Sequence, residues 1–324
     1  MIKILDLIFL SRPVLWIPVW GFSVFGYVCG LTRVAPYHIG TTAQQGIALF
    51  WMIVFSASVG AVYIMNQIAD RRVDEANPGF PLLVKSGISN GAAWAAAGAP
   101  ALAALIAPLA AGRPMLAACS AGALIIGALY SFRPFSLSGR PVVDFAANAV
   151  GYGVVAFGAG WIISGAPMSG ASFCRAAAPY VLLMCAGSIS STLPDYAGDT
   201  ACGKRTTAVA LGTYPAHTLA LLFLFCALGC SWWARDRVAM ICAAIAAPVY
   251  IAYSLYRSKQ LMEATYKAGG GACMIVAAAL FPLLIPAALA TALATWLYFR
   301  YHHGVNYPSL MPAGQRSAEH AGEN

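Results

Sequence analysis

Charge is what this 324-residue chain has least of: Asp, Glu, Lys and Arg together make up 9% of it, against 60% apolar residues. That balance exceeds what a soluble domain needs for its core and excludes a water-soluble globular protein. The chain is expected to be all-α and integral to a membrane. It also lacks any Pro-, Ser- or charge-rich linker between its apolar segments, so residues 1–300 read as one membrane domain. The nine cysteines include no CxxC pair and no metal spacing; most fall inside apolar segments and read as small packing residues. No cleavable signal peptide is evident: MIKILDLIFLSRP is interrupted by Asp6 and Arg12 and reads as an interfacial helix leading into the first span.

What is present is apolar length. Nine segments can cross a bilayer about 30 Å thick: residues 13–32, 45–68, 90–111, 114–132, 143–165, 174–194, 213–233, 237–256 and 271–299. The last is overlong, and Pro282 and Pro286 should tilt or kink it. Of the 19 Lys and Arg residues, twelve fall on the N-terminal side: Lys3, Arg12, Arg71, Arg72, Lys85, Arg133, Arg140, Lys204, Arg205, Arg257, Lys259 and Lys267. Seven fall opposite: Arg33, Arg113, Arg175, Arg235, Arg237, Arg300 and Arg316. The positive-inside rule then places the N-terminus in the cytoplasm. The +8 net charge is accounted for by topology and calls for no nucleic-acid partner. The tail 301–324, with His302, His303 and AGQRSAEHAGEN, has no apolar periodicity and is expected to be disordered.

Two acidic signatures interrupt this hydrocarbon-like sequence: Asn66, Asp70 and Asp74 in NQIADRRVD, and Asp195 and Asp199 in PDYAGD. Residues four apart on a helix advance by about 400°, so each set points its oxygens along one stripe. Carboxylates near a membrane helix centre cost roughly 2.5 to 3.5 kcal/mol each and call for a partner. Oxygen-only ligands in two clusters suit Mg²⁺, a hard ion that shares its shell with water and substrate phosphates. One signature closes the second span and the other the sixth, as expected of two four-helix repeats with a ninth helix added. Both then face the cytoplasm, on the long connections 70–89 and 195–212.

A third connection on that side, YSFRPFSLSGRPVVD from Tyr130 to Asp144, adds Arg133 and Arg140. Asp144 is placed to pair with Arg140 across one helical turn. Acidic helix ends flanked by cations fit a Mg²⁺-bridged diphosphate, with Lys204 and Arg205 neutralising its remaining charge. A diphosphate at a membrane surface implies a lipid tail, and an isoprenyl diphosphate has that shape. Tyr152, Phe157 and Trp161 are candidates for a cation-tolerant aromatic wall, packing being the plainer alternative. GYGVVAFGAG, Gly151 to Gly160, reads as close helix packing.

NQIADRRVD, PDYAGDTACGKRTTAVALG and YSFRPFSLSGRP together resemble the UbiA superfamily of intramembrane prenyltransferases, over most of the chain from about Arg12. RPVLWIPVWGF and YSFRP look most like the chlorophyll synthase and related branches. The resemblance implies nine transmembrane helices around a central cavity, with both Asp-rich motifs above it. It implies that Asn66, Asp70 and Asp74 bind one Mg²⁺, and Asp195 and Asp199 another, these four aspartates being the catalytic groups. Lys204, Arg205, Tyr130, Arg133 and Asn66 are the implied diphosphate contacts. The donor is a prenyl diphosphate and the acceptor a lipophilic molecule such as an aromatic or quinone precursor, alkylated within the bilayer. Gln67 departs from the family's usual Asn-Asp start, and NPGFPLLVKSG carries only Lys85, so no acceptor is carried over. A terpene cyclase of the same fold, using no acceptor, and a cation-coupled transporter remain as alternatives.

Overall fold

The computed structural model describes residues 2–34, 40–76 and 81–307, with the side chains at 2, 3, 33, 34 and 72–76 left out of the description. Among the described residues there are only helices and the turns between them. In chain order these are α1 (Ile2–Phe9), α2 (Trp16–Val34), α3 (Thr42–Ala76), α4 (Leu82–Lys85), α5 (Asn90–Ala110) and α6 (Pro114–Ser131). Then come α7 (Val143–Val150), a π-helical turn (Gly151–Ala156), α8 (Phe157–Ile163), α9 (Gly170–Thr192), α10 (Tyr196–Ala201) and α11 (Thr207–Leu211). Last are α12 (Thr213–Ala234), α13 (Arg237–Tyr256), α14 (Lys259–Leu280) and α15 (Leu284–His303). Eight stretches are long and apolar enough to cross a membrane. They are α1–α2, α3, α5, α6, α7–α8, α9, α12 and α13, which makes this a multi-pass membrane protein. Large apolar side chains such as Leu102, Ile106, Ile125 and Ile275 face outward, as a hydrocarbon solvent allows.

The single span expected at 271–299 is instead divided. Pro282 has no N–H to give the preceding turn and its ring crowds that turn's carbonyl, so α14 stops at Leu280 and α15 starts at Leu284. α14 also begins twelve residues earlier than expected, at Lys259, because the Ser258 hydroxyl accepts from the Leu261 N–H at 3.2 Å and caps the helix. Lys259, Glu263 and Lys267 hide that first half from a hydropathy reading. α15 runs on to His303, past the expected start of a tail at 301. Residues 308–324, the rest of that tail, lie outside the described residues. The Tyr298 hydroxyl bonds Asp6, and His303 Nε2 lies 3.4 Å from the same carboxylate, so α15 clasps α1.

α2 crosses α8 at backbone distance. A Cβ built on Gly160 would stand 1.8 Å from the Ser23 carbonyl oxygen, and one on Gly26 would stand 1.8 Å from that of Phe157. Only glycine permits this approach. Beneath it Phe25, Phe157, Trp161, Phe173 and Tyr180 form one aromatic cluster. Phe157 and Trp161 are therefore core, whereas Tyr152 lies on the π turn and faces open space. π turns bring a side chain out of helical register, often at a site.

Candidate active site at two acidic helix ends

α3 is 35 residues long, about 52 Å at 1.5 Å per residue, and overruns a hydrocarbon core of about 30 Å. Its C-terminal turns carry Asn66, Asp70 and Asp74 on one uninterrupted helix. The Asn66 amide donates to Asp70 Oδ2 at 3.1 Å and to the Ser131 hydroxyl at 3.4 Å, joining α3 to the end of α6. The side chain of Asp74 lies outside the described residues. Gln67 turns away from the stripe: its amide nitrogen donates to the Leu10 carbonyl at 2.7 Å, tying α3 to the chain just before Arg12.

The second motif is not the end of the sixth span, as its sequence implies, but a separate short helix. Pro194 ends the continuation of α9, and α10 begins anew after Asp195. The i, i+4 relation survives, with the Asp199 N–H donating to the Asp195 carbonyl at 2.8 Å. The chain then turns so that Lys204 Nζ lies 4.0 Å from Asp199 Oδ1, while the Thr206 hydroxyl donates to Asp199 Oδ2 at 3.3 Å. Partial burial and the neighbouring Asp199 charge raise the Asp195 carboxyl above its usual range, and Lys204 opposes them. The lysine charge is felt by Asp70 as well. A Cβ on Gly139 would stand 3.5 Å from Lys204 Cγ, so the 130–144 connection packs on the same lysine. Lys204 thus touches the second motif and the 130–144 connection, and its charge reaches the first motif at Asp70.

Arg12 is a further candidate that pattern reading did not single out. It sits at the kink between α1 and α2 with φ of 48°, and its charge acts on Asp70 from the N-terminal side. Tyr130, hydrogen-bonded to Asn148, stands near Asp70. Arg133 and Arg205 are exposed, and no described hydrogen bond or ion pair joins them to either motif.

Asp144 does not pair with Arg140. It is 4% exposed and accepts from the Thr207 N–H at 2.6 Å and the Thr207 hydroxyl at 2.5 Å, while Arg140 donates to the Pro134 carbonyl. The Val142 N–H in turn donates to Thr207 Oγ1 at 2.7 Å. This cluster fastens the 130–144 connection to the loop that carries Lys204 and holds Val142 at φ of 71°, a region a β-branched residue avoids.

Below the motifs lies a cavity of about 140 Å³, bounded by Asn66, Tyr130 and Ser131 at one end and by Val19, Phe55 and Val59 further in. A second, of about 420 Å³, is enclosed by α2, α9, α12, α13 and α14. Tyr152 lines both, and its hydroxyl is 3.0 Å from that of Tyr63.

Among the described residues no three His, Cys, Asp or Glu side chains form a ready-made ion cage. The donors present are the amide and carboxylate oxygens of Asn66, Asp70, Asp195 and Asp199, shared around one lysine. That set fits a hard cation taking most of its ligands from phosphate and water.

A search of the curated proteins finds no match. Among solved structures, a UbiA homolog from Archaeoglobus fulgidus bound to GPP and Mg²⁺ superposes with a TM-score of 0.60 at 23% identity, covering 86% of this chain and 99% of that one. The apo UbiA homolog from Aeropyrum pernix K1 gives 0.56 at 20% identity, with 85% and 98% covered. A structure described for digeranylgeranylglyceryl phosphate synthase in membranes gives 0.63 at 14% identity, with 88% and 100% covered. These likenesses establish a shared fold. The UbiA prenyltransferase family itself matches residues 23–268, most of the sequence and both acidic motifs, and the chain belongs to that family.

Proposed function

We propose that the protein is a Mg²⁺-dependent prenyltransferase that moves an isoprenyl group from a prenyl diphosphate to a lipophilic acceptor inside the membrane. The observation that carries this reading is that Lys204, 4.0 Å from Asp199, also exerts its charge on Asp70 and Asp195, while Asn66 of the first motif lines an apolar cavity. Asn66, Asp70, Asp74, Asp195 and Asp199 would hold the metal, and relatives of the same fold were solved with Mg²⁺ and GPP or DMAPP. Bound there, Mg²⁺ supplies positive charge to the diphosphate as it departs. Lys204, Arg205, Arg133 and Arg12 supply the remaining cations around the leaving group, and Tyr130 and Asn66 supply hydrogen bonds at its base.

The prenyl chain lies in the smaller cavity. The allylic C1–O bond breaks with its electron pair leaving on the diphosphate oxygen, and the Tyr152 ring faces the positive charge that develops. A nucleophilic carbon or oxygen of the acceptor then bonds to C1 and gives up its proton to the released diphosphate. Val19, Phe55 and Val59 exclude the water that would otherwise quench the cation. The second cavity across Tyr152 gives an acceptor room, which favours transfer over cyclisation of the donor on itself. Cations crowding the acids at one end of the helices disfavour an ion-coupled transporter.

The test is incubation of purified protein with prenyl diphosphates and candidate acceptors, followed by product identification. A prenylated acceptor with diphosphate released supports the reading. A cyclic hydrocarbon formed from donor alone replaces it with a cyclase, and absence of diphosphate release removes it. Neutralising Lys204 and Arg205 together to Gln should lower the donor's kcat/KM by at least about tenfold, the worth of a charge-assisted contact, while leaving the acceptor's KM in place. Unchanged donor kinetics would take both residues out of the site.

The loops 70–89, 133–142 and 195–212 face the cytoplasm, following the distribution of Lys and Arg. A cysteine at Ser86 in a cysteine-free background should be reached by an impermeant thiol reagent only after the cells are opened. Labelling from outside reverses the orientation.

A further inference from the structure

α15 lies beyond residues 23–268, the part of the chain that matches the family, and the donor chemistry uses none of its side chains. It is 20 residues long, about 30 Å. It starts near Phe281, whose ring packs on Tyr27 beyond the middle of α2, and it ends at α1, where Tyr298 stacks on Phe9 with ring centres 3.9 Å apart.

What it meets there is Asp6. This carboxylate is 3% exposed, and a charge so buried is tolerated when it is paired and hydrogen-bonded. Two partners come from α15: the Tyr298 hydroxyl donates to Asp6 Oδ1, and His303 Nε2 lies 3.4 Å from the same oxygen and 2.9 Å from the Tyr298 oxygen. With the hydroxyl hydrogen directed at Asp6, the tyrosine oxygen accepts, so His303 carries a hydrogen on Nε2.

Asp6 is one helical turn from Leu10, whose N–H donates to the Asp6 carbonyl at 2.9 Å. The Leu10 carbonyl accepts in turn from Gln67 Nε2 at 2.7 Å, and Gln67 is the neighbour of Asn66 in the first motif. Arg12 follows two residues later at φ of 48°, a region that non-glycine residues occupy only where the surroundings hold them. α3 holds the chain beyond this kink, the Tyr63 hydroxyl donating to the Leu15 carbonyl at 3.4 Å. α15 holds it before the kink, through Asp6.

Building on the prenyltransferase reading, we infer that α15 is a positioning element: Tyr298 and His303 hold α1 by Asp6 and so set the Arg12 guanidinium at the first acidic helix end, where it meets the donor's diphosphate.

Tyr298→Phe keeps the ring on Phe9 and removes only the hydroxyl. His303→Leu removes the ring nitrogen, and His303→Gln returns an N–H donor. Two readouts are taken on the full-length protein in lipid nanodiscs: the electron paramagnetic resonance line shape of a nitroxide on Ile8→Cys in a cysteine-free background, and equilibrium binding, with Mg²⁺, of whichever of geranyl, farnesyl or geranylgeranyl thiolodiphosphate wild type binds best. Ile8 is exposed on α1, two residues past Asp6. Tyr298→Phe and His303→Leu should mobilise the label and weaken the thiolodiphosphate at least about threefold, while His303→Gln stays near wild type in both readouts. Arg12→Gln should weaken the thiolodiphosphate at least about tenfold and leave the label immobile. Added to Arg12→Gln, Tyr298→Phe should weaken it by less than about a further 1.5-fold, because the group it positions is gone. Unchanged thiolodiphosphate binding in both Tyr298→Phe and His303→Leu overturns the inference. So does an effect of Tyr298→Phe that multiplies with that of Arg12→Gln, or a label that stays immobile in both α15 variants. A wild-type protein that binds none of the three thiolodiphosphates removes the prenyltransferase reading itself, and the inference with it.

Discussion

Replacing Asp70 or Asp199 with Ala should lower turnover at least about a thousandfold, the equivalent of roughly 4 kcal/mol of transition-state stabilisation. The protein should still fold and insert, because each side chain is only partly buried at a helix end. Asp70 gives up one described hydrogen bond, from Asn66, and Asp199 gives up that from Thr206. The two carboxylates act on one leaving group, so the double variant should be scarcely worse than either single one. Excess chelator on the wild-type protein should reproduce the loss and added Mg²⁺ should reverse it. Residual activity above about a tenth of wild type in both single variants would leave the acids with no catalytic role.

The second large effect is at a residue that touches no substrate. Asp144→Ala should destabilise the protein by about 3 kcal/mol or more, because it leaves the Thr207 N–H and hydroxyl buried without their charged acceptor. The melting temperature should fall by several degrees. In protein that remains folded, the loop carrying Lys204 loses its tie to the 130–144 connection. The donor's KM should therefore rise at least about tenfold while the acceptor's stays put. Asp144→Asn keeps one acceptor oxygen and should recover part of both effects. A variant as stable as wild type, with unchanged donor kinetics, would show that the cluster holds nothing in place.

Asp144 also shows what the sequence could convey and what it could not. Arg140 four residues away is the partner that local spacing offers, but Thr207, far along the chain, has the N–H and hydroxyl aimed at the carboxylate. Long-range partners leave no periodic trace. The first motif was legible because α3 continues unbroken through it and the four-residue spacing keeps one stripe. The second kept its spacing although Pro194 moved it onto a separate helix, since the backbone bond from Asp199 to Asp195 preserves a helical turn there. Arg12 escaped notice because its approach to Asp70 depends on the left-handed kink after α1, which no residue pattern announces. Glu263 and Lys267 had the opposite effect, since their charges made the start of α14 look like a loop. The apolar segments themselves were legible in the eight spans identified by length and composition, because hydropathy over twenty residues needs no partner to be read.

The central claim is that one prenyl diphosphate is held through Mg²⁺ between the two acidic helix ends. It is tested most directly by equilibrium binding of geranyl, farnesyl and geranylgeranyl thiolodiphosphates, which resist ionisation and require no acceptor. At least one should bind once per chain in Mg²⁺, and that binding should vanish in chelator, in Asp70→Asn and in Asp199→Asn. Binding of none of the three, or binding indifferent to chelator and to both substitutions, would contradict the account.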